Sequence, residues 1–249
     1  MSLFKNIIPT RLLTVICLLF TLAMFSSCKK FLASYSQNQT FNQTATDLEE
    51  LLLGQGYSIQ QPTLWAHFLD DDVDANPSTS PQGGSANYND NGYHYWQPVP
   101  WINSNGQEVF DDFYMAMYKR ISALNTILYD VPEMKRKGEP ADLLQKVSGE
   151  SHFLRAYTYF NLANLYGQPY NQATAAVDYS VPLKTDPEVE DKLFSRNTVK
   201  EVFNQILSDL LESEKELDTY NENSSIRVNK STAQAMLSRV YLYMSDYEN

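Results

Sequence analysis

Residues Ser151 to Tyr170 read SHFLRAYTYFNLANLYGQPY, and this stretch decides the fold. Extended back to Leu143, it predicts a helix on which Ser148, His152, Arg155, Thr158, Asn161 and Asn164 recur every three or four residues, forming one narrow polar stripe. The remaining circumference is apolar, from Val147 through Phe153, Leu154, Tyr159, Phe160 and Leu162 to Tyr166. A helix apolar over most of its surface belongs inside a bundle with neighbours on several sides. Gly167 is expected to supply the permissive position that ends it, and Pro169 cannot continue it.

Working outward, helical periodicity returns from Val109 through Phe113, Met117, Ile121, Leu124 and Leu128, and Pro132, Gly138 and Pro140 are expected to close that segment. Asn125, on its buried side, is expected to bond backbone. Residues 170–196 form an irregular crossing, with Val181-Pro182-Leu183 lying over the bundle. Asn197 or Thr198 then caps a further helix, Thr198-x-x-Glu201 offering a capping box. Its core face runs from Val199 through Phe203, Ile206 and Leu210 to Leu217, while Asp209, Glu212, Glu214 and Glu216 read as a solvated face. Asn229 caps a last helix from Lys230 to about Tyr243. Upstream, Thr46-x-x-Glu49 is a plausible box ahead of Leu48, Leu51 and Leu52. Leu237-Ser238-x-x-Tyr241-x-x-x-Ser245-x-Tyr247 is similar to a tetratricopeptide repeat, with small residues where helices approach closely. The expected fold is mainly α: a helical bundle with tetratricopeptide-like helix pairs and long irregular surface loops. A repeat needs a stacked neighbour, so the chain reads as an N-terminal part that stops in mid-domain.

Four segments together resemble the RagB/SusD family. They are Phe153-Leu154-Arg155-Ala156-Tyr157-x-Tyr159-Phe160-x-Leu162-x-x-Leu165-Tyr166-Gly167-x-Pro169, Thr46-Asp47-Leu48-Glu49-Glu50-Leu51-Leu52, Leu69-Asp70-Asp71-Asp72-Val73 and Tyr118-Lys119-Arg120-Ile121-Ser122-Ala123-Leu124-Asn125. The resemblance implies an outer-membrane lipoprotein that captures a nutrient at the cell surface. It also implies a partner, a TonB-dependent transporter of the SusC type, to which an oligosaccharide or other nutrient is delivered.

The N-terminus fits that expectation. Lys5 and Arg11 precede an apolar run from Leu12 to Phe25, which is too short for the roughly 20 residues of a spanning helix and reads as a signal-peptide core. Cys28 follows Phe25-Ser26-Ser27 and resembles a lipobox cysteine, acylated to become the mature N-terminus. Phe25 departs from the usual leucine, and ordinary cleavage leaving a surface thiol stays open. The organisation expected is a signal peptide over 1–27, a lipidated tether over 28–45 and a helical domain over 46–249. Removing residues 1–27 leaves 17 basic against 30 acidic residues, a net charge of −13. That balance argues against nucleic acid and against peripheral attachment to anionic lipid.

Chemistry is sparse. His67, His94 and His152 form no HExxH, and neither a GxSxG elbow nor a Gly-rich phosphate loop occurs. No enzyme activity and no cofactor are expected. Asp70, Asp72 and Asp74 alternate like calcium ligands, but Ala75 and Pro81 stand where such a loop requires Gly and Glu, so no metal is assigned. Residues 74–108 hold too many Pro, Gly and Asn for a regular element. Within them Tyr93, Tyr95, Trp96 and Trp101, with Asn103, are the candidate ligand-binding residues. Flat rings suit the C–H faces of sugars, and amide side chains suit their hydroxyls. The same rings could instead fold back onto the helices as a lid. A peptide or other nutrient as the ligand, and a helical-repeat adaptor for a protein partner, stay open as alternatives. Cys28→Ala is expected to abolish fatty-acid labelling and to move the protein out of the membrane fraction. Unchanged partitioning and labelling would overturn the lipobox reading.

Overall fold

A computed structural model describes residues 42–57, 69, 93, 95–102, 106–108, 112–219 and 226–248. All of them belong to one compact unit that begins at Asn42. Its helices are α1 (Ala45–Leu51), a π-helical turn (Leu52–Tyr57), α2 (Asp112–Arg136), α3 (Ala141–Tyr166), α4 (Val199–Glu216) and α5 (Lys230–Tyr243). Helix α3 is the centre: α1, the π-turn, α2, α4 and α5 all pack against it. The fold is mainly α, as the periodicity predicts. Among the described residues no helix is long and apolar enough to cross a membrane.

The side-chain pairs give the helix directions. Asn125 meets Arg155 and Tyr114 meets Tyr166, so α2 and α3 run antiparallel. Gln145 reaches Glu216 while Phe160 packs on Phe203, so α3 and α4 are antiparallel as well. Gln234 with Glu214 and Lys230 with Asp218 show the same for α4 and α5. The result is the up-and-down stacking of helix pairs.

Local chemistry explains the helix ends. Thr198 caps α4 with a reciprocal box, its Oγ1 accepting from the Glu201 N–H at 3.2 Å and the Glu201 carboxylate accepting from the Thr198 N–H at 2.7 Å. Asn229 caps α5 through the Thr232 N–H. The first box lies two residues earlier than the sequence suggests. Thr44 is the cap and Asp47 its partner, whose Oδ2 also accepts from the Gln43 N–H. The shift brings Ala45, which a cap at Thr46 would have left outside the helix, into its first turn, where it is buried.

Two expected breaks behave differently. Pro132 does not close α2, which continues to Arg136. A proline inside a helix costs about 3 kcal/mol, and burial of Val131 and Met134 on either side offsets that cost. The helix ends instead at Gly138, whose φ of +82° is the left-handed conformation. Its N–H donates to the Lys135 carbonyl, and the Glu139 N–H donates to the Met134 carbonyl, the paired bonds of a glycine cap. Gly167 ends α3 for another reason. Its backbone is extended, with φ −95° and ψ 173°, and what it needs is space. A Cβ there would lie 2.5 Å from the Ala163 carbonyl and 2.8 Å from Ser180 Oγ, where the crossing segment comes alongside.

The polar stripe of α3 is buried at Ser148, Arg155 and Thr158 and reaches solvent only toward its end, at Asn164. Arg155 is buried and donates from Nε and Nη2 to Asp209 Oδ2 and Oδ1 at 2.9 and 2.6 Å, and from Nη1 to Asn125 Oδ1 at 2.9 Å. His152 Nδ1 stands 3.0 Å from the same Asp209. Asp209 is therefore no part of a solvated face, being 2% exposed. Further along, Thr158, Asn161 and Asn164 return hydrogen bonds to the carbonyls one turn back on their own helix.

A second buried group, Glu150, accepts from Arg227 Nε and Nη2 at 2.8 and 2.9 Å and from the Tyr57 hydroxyl, tying the π-turn and the start of α5 to α3. At the far end, Val240 is fully buried, whereas Leu242 is exposed.

Burial pushes the Asp209 carboxyl up, but the Arg155 and His152 hydrogen bonds outweigh it and hold the group below its ordinary value of 3.8. A carboxyl depressed in the folded state stabilises the fold above the unfolded value, and that contribution is lost as pH falls through the folded one. Asp209→Ala should cost about 3–5 kcal/mol at neutral pH, because it leaves the Arg155 guanidinium buried without its counter-charge. Denaturant unfolding measures this. The difference from wild type should shrink below about pH 4 as the wild-type carboxyl protonates.

Candidate ligand-binding site

The loop ahead of α2 carries the rings singled out from the sequence. Its described part is held locally rather than as a strand or helix. The Trp96 N–H donates to the Tyr93 carbonyl at 3.0 Å, and the Ile102 N–H donates to the Val99 carbonyl at 3.3 Å. Ile102 and Glu108 form one antiparallel bridge, with Gly106 at φ +76° between them. Trp96 has φ +50°, a left-handed conformation that costs a residue with a Cβ roughly 1–2 kcal/mol. Strain of that kind persists where surrounding structure imposes it, and it gathers at functional positions.

These turns present the rings outward. Trp96 is 73% exposed, Tyr95 56% and Trp101 45%, with Val99 and Ile102 also open between and beside them. Tyr93 is half-buried. So Tyr95, Trp96 and Trp101 share a loop on which each ring is exposed to solvent. Contiguous exposed apolar patches are a general feature of interaction surfaces. Asn103 lies outside the described residues, as do His94, Tyr88, the Asp70–Asp74 cluster and Cys28. Among the described residues no group of His, Cys, Asp or Glu is placed to hold a metal ion.

The crossing from Tyr170 to Arg196 supplies a second feature. Val181 is buried, and the bundle fixes three alternate carbonyls. The Tyr118 hydroxyl donates to Pro182 O at 2.8 Å. The Tyr159 hydroxyl donates to Lys184 O at 2.8 Å and accepts from Lys184 N–H at the same distance. Asn125 Nδ2 donates to Lys184 O and Asp186 O at 2.9 and 3.1 Å. Asn125 does bond backbone, as its burial suggests, but the backbone belongs to the crossing. Burial pushes the Tyr159 phenol up to about 12, so it remains a neutral donor at any working pH. Between this fixed segment and α2 lies a cleft of about 430 Å3, walled by Tyr114, Tyr118 and Phe194. Tyr114, Tyr118 and Ser122 are spaced by one turn on a single face of α2, the signal in the sequence that could have pointed to it.

An antiparallel stack of tetratricopeptide-like helix pairs bearing an exposed aromatic loop defines a helical binding scaffold. The particular family follows from comparison. Residues 30–242 match the SusD-like family described as starch-binding and associating with the outer membrane, and the chain belongs to that family. A SusD-like protein of Formosa agariphila is 26% identical over 142 residues, which cover 56% of this chain and 24% of that protein. A sugar-binding protein of Bacteroides vulgatus, so described provisionally, superposes with a TM-score of 0.63 at 24% identity, over 84% of this chain and 44% of its own. A SusD superfamily protein of Bacteroides thetaiotaomicron gives 0.61 at 21%, over 83% and 44%. A laminarin-binding SusD-like protein gives 0.58 at 21%, over 81% and 41%. The chain thus spans about a quarter of that curated relative and under half of these solved structures, which share its fold.

Proposed function

We propose that this chain is the N-terminal part of a non-catalytic nutrient-binding lipoprotein of the outer membrane. It holds a glycan at the cell surface and passes it to a TonB-dependent transporter of the SusC type. Acylation at Cys28 anchors it, and the polar residues before Ala45 carry the helical unit away from the lipid. The observation that carries the glycan reading is the exposure of Tyr95, Trp96 and Trp101 on one strained loop. Indole and phenol faces stack on the apolar faces of sugar rings without needing a deep pocket, and this suits a long polymer that must be gripped and then released. The family's description as starch-binding and the laminarin-binding neighbour point the same way.

The test is Trp96→Ala and Trp101→Ala in the full-length protein, with affinity and melting temperature measured on the same samples against starch and laminarin oligosaccharides. Each should weaken binding by roughly 1–3 kcal/mol, the range for one large side chain that buries its surface on ligand. Neither should lower the melting temperature by more than a degree or two, because neither ring is core. Loss of stability with unaltered affinity would overturn the platform.

A further inference from the structure

The cleft beside α2 has no role in the reading above. It exists because the crossing is fixed at the carbonyls of Pro182, Lys184 and Asp186 and then leaves the bundle: Val189 and Leu193 are 97% and 101% exposed. Phe194 closes one wall, and the rings of Tyr114 and Tyr118, 4.8 Å apart, close the other. At about 430 Å3 the space is within the usual range for small-ligand sites, mostly apolar with a few polar groups.

Those polar groups restrict what fits. Lys184 is tied to Asp186 and to Glu190, the latter at 3.4 Å, and Lys192 lies 2.6 Å from Glu190. Both ammonium groups also sit over the Phe194 ring, 5.8 and 5.1 Å from its centre. The cations are thus already neutralised, while the Glu188 carboxylate has no ion-pair partner among the described residues and Ser122 adds a hydroxyl at the wall. A carboxylate or sulfate on the ligand would meet the Glu188 carboxylate and would compete with Asp186 and Glu190 for the two lysines. A sugar hydroxyl would meet good acceptors. The platform shares this character, because no Lys or Arg occurs anywhere from Phe31 to Tyr118.

We propose that the cleft is a second saccharide subsite, selective for uncharged pyranose units, which lay their C–H faces on Tyr114 and Phe194 and direct hydroxyls to Glu188 and Ser122. It rests on the reading that the ligand is a glycan. Glu108 at the end of the platform and Tyr114 in the cleft are six residues apart, so their Cα atoms lie within about 22 Å.

The experiment uses the full-length protein, wild type and with Val189→Trp, which fills the cleft from an exposed position, or Phe194→Ala, which removes a wall. Melting temperatures check that both variants fold. The probes are maltohexaose, laminarihexaose and hexagalacturonate, titrated calorimetrically at low and high salt. An uncharged hexasaccharide should bind best, with little dependence on salt, and its Kd should rise about tenfold in each variant. Tightest binding by hexagalacturonate overturns the selectivity. An uncharged probe whose Kd is unchanged in both variants but raised by Trp96→Ala overturns the cleft and leaves the platform standing. If none of the three probes binds, the glycan reading falls and the subsite with it.

Discussion

The buried Arg155 guanidinium is the constraint on which the rest depends. A charge moved out of water is tolerated only when it is paired and its hydrogen bonds are satisfied. Here one carboxylate, Asp209, takes two of its N–H groups and one amide oxygen, Asn125, takes another. Those partners lie on different helices, so the requirement fixes α2 and α4 against α3 in one register. A slip of one residue would strand the charge. Asn125 then turns its own N–H groups to the carbonyls of Lys184 and Asp186, and the same demand for satisfied polar groups continues from the core to the backbone of the crossing.

From there the surface is shaped by close approach. Gly149 lets Leu217 come within 2.8 Å of where a Cβ would stand, which brings the end of α4 onto α3. Gly167 does the same for Ser180 at the other end of α3. Arg196 closes that corner, donating to the carbonyls of Ser180 and Tyr166. The crossing is pinned to the bundle through Asp186 and again at Arg196, and the stretch between them bows away from α2, leaving the cleft beneath it.

The aromatic residues divide by what holds their backbone. On the helices many of them pack, though Tyr129 and Tyr243 are exposed: Tyr159 is fully buried, Phe160 sits edge-on to Phe203, and Tyr114 meets Tyr166 the same way. On the loop before α2, turn hydrogen bonds and the left-handed Trp96 turn similar rings outward. A rigid bundle beneath an exposed, locally braced loop is a common arrangement for binding proteins, since the scaffold absorbs the cost of presenting apolar surface to water.

Much of this was legible in the residues. Period-3.6 patterning located α2 to α5, Thr198 and Asn229 were recognisable as caps because capping is a contact between residues three apart, and the Phe153–Pro169 run carried the family. The loop rings could be picked out by residue type, though not their exposure. What the sequence did not determine lies between elements. Asp209 shares a helix with Glu212 and Glu216 and looked equally solvated, because its difference is Arg155, 54 residues away in the chain. Pro132 looked like a stop because the burial that offsets it belongs to the packed bundle. Gly167 looked like a turn residue, yet it is small because Ser180 lies against it. Only one wall of the cleft, the Tyr114–Tyr118–Ser122 face of α2, has a local signature; the other comes from a segment some 70 residues later, joined to it only when the core carbonyl contacts form. Periodicity and capping are short-range and survive in the sequence; charge pairing, close approach and cavities are properties of surfaces that meet only in the folded chain.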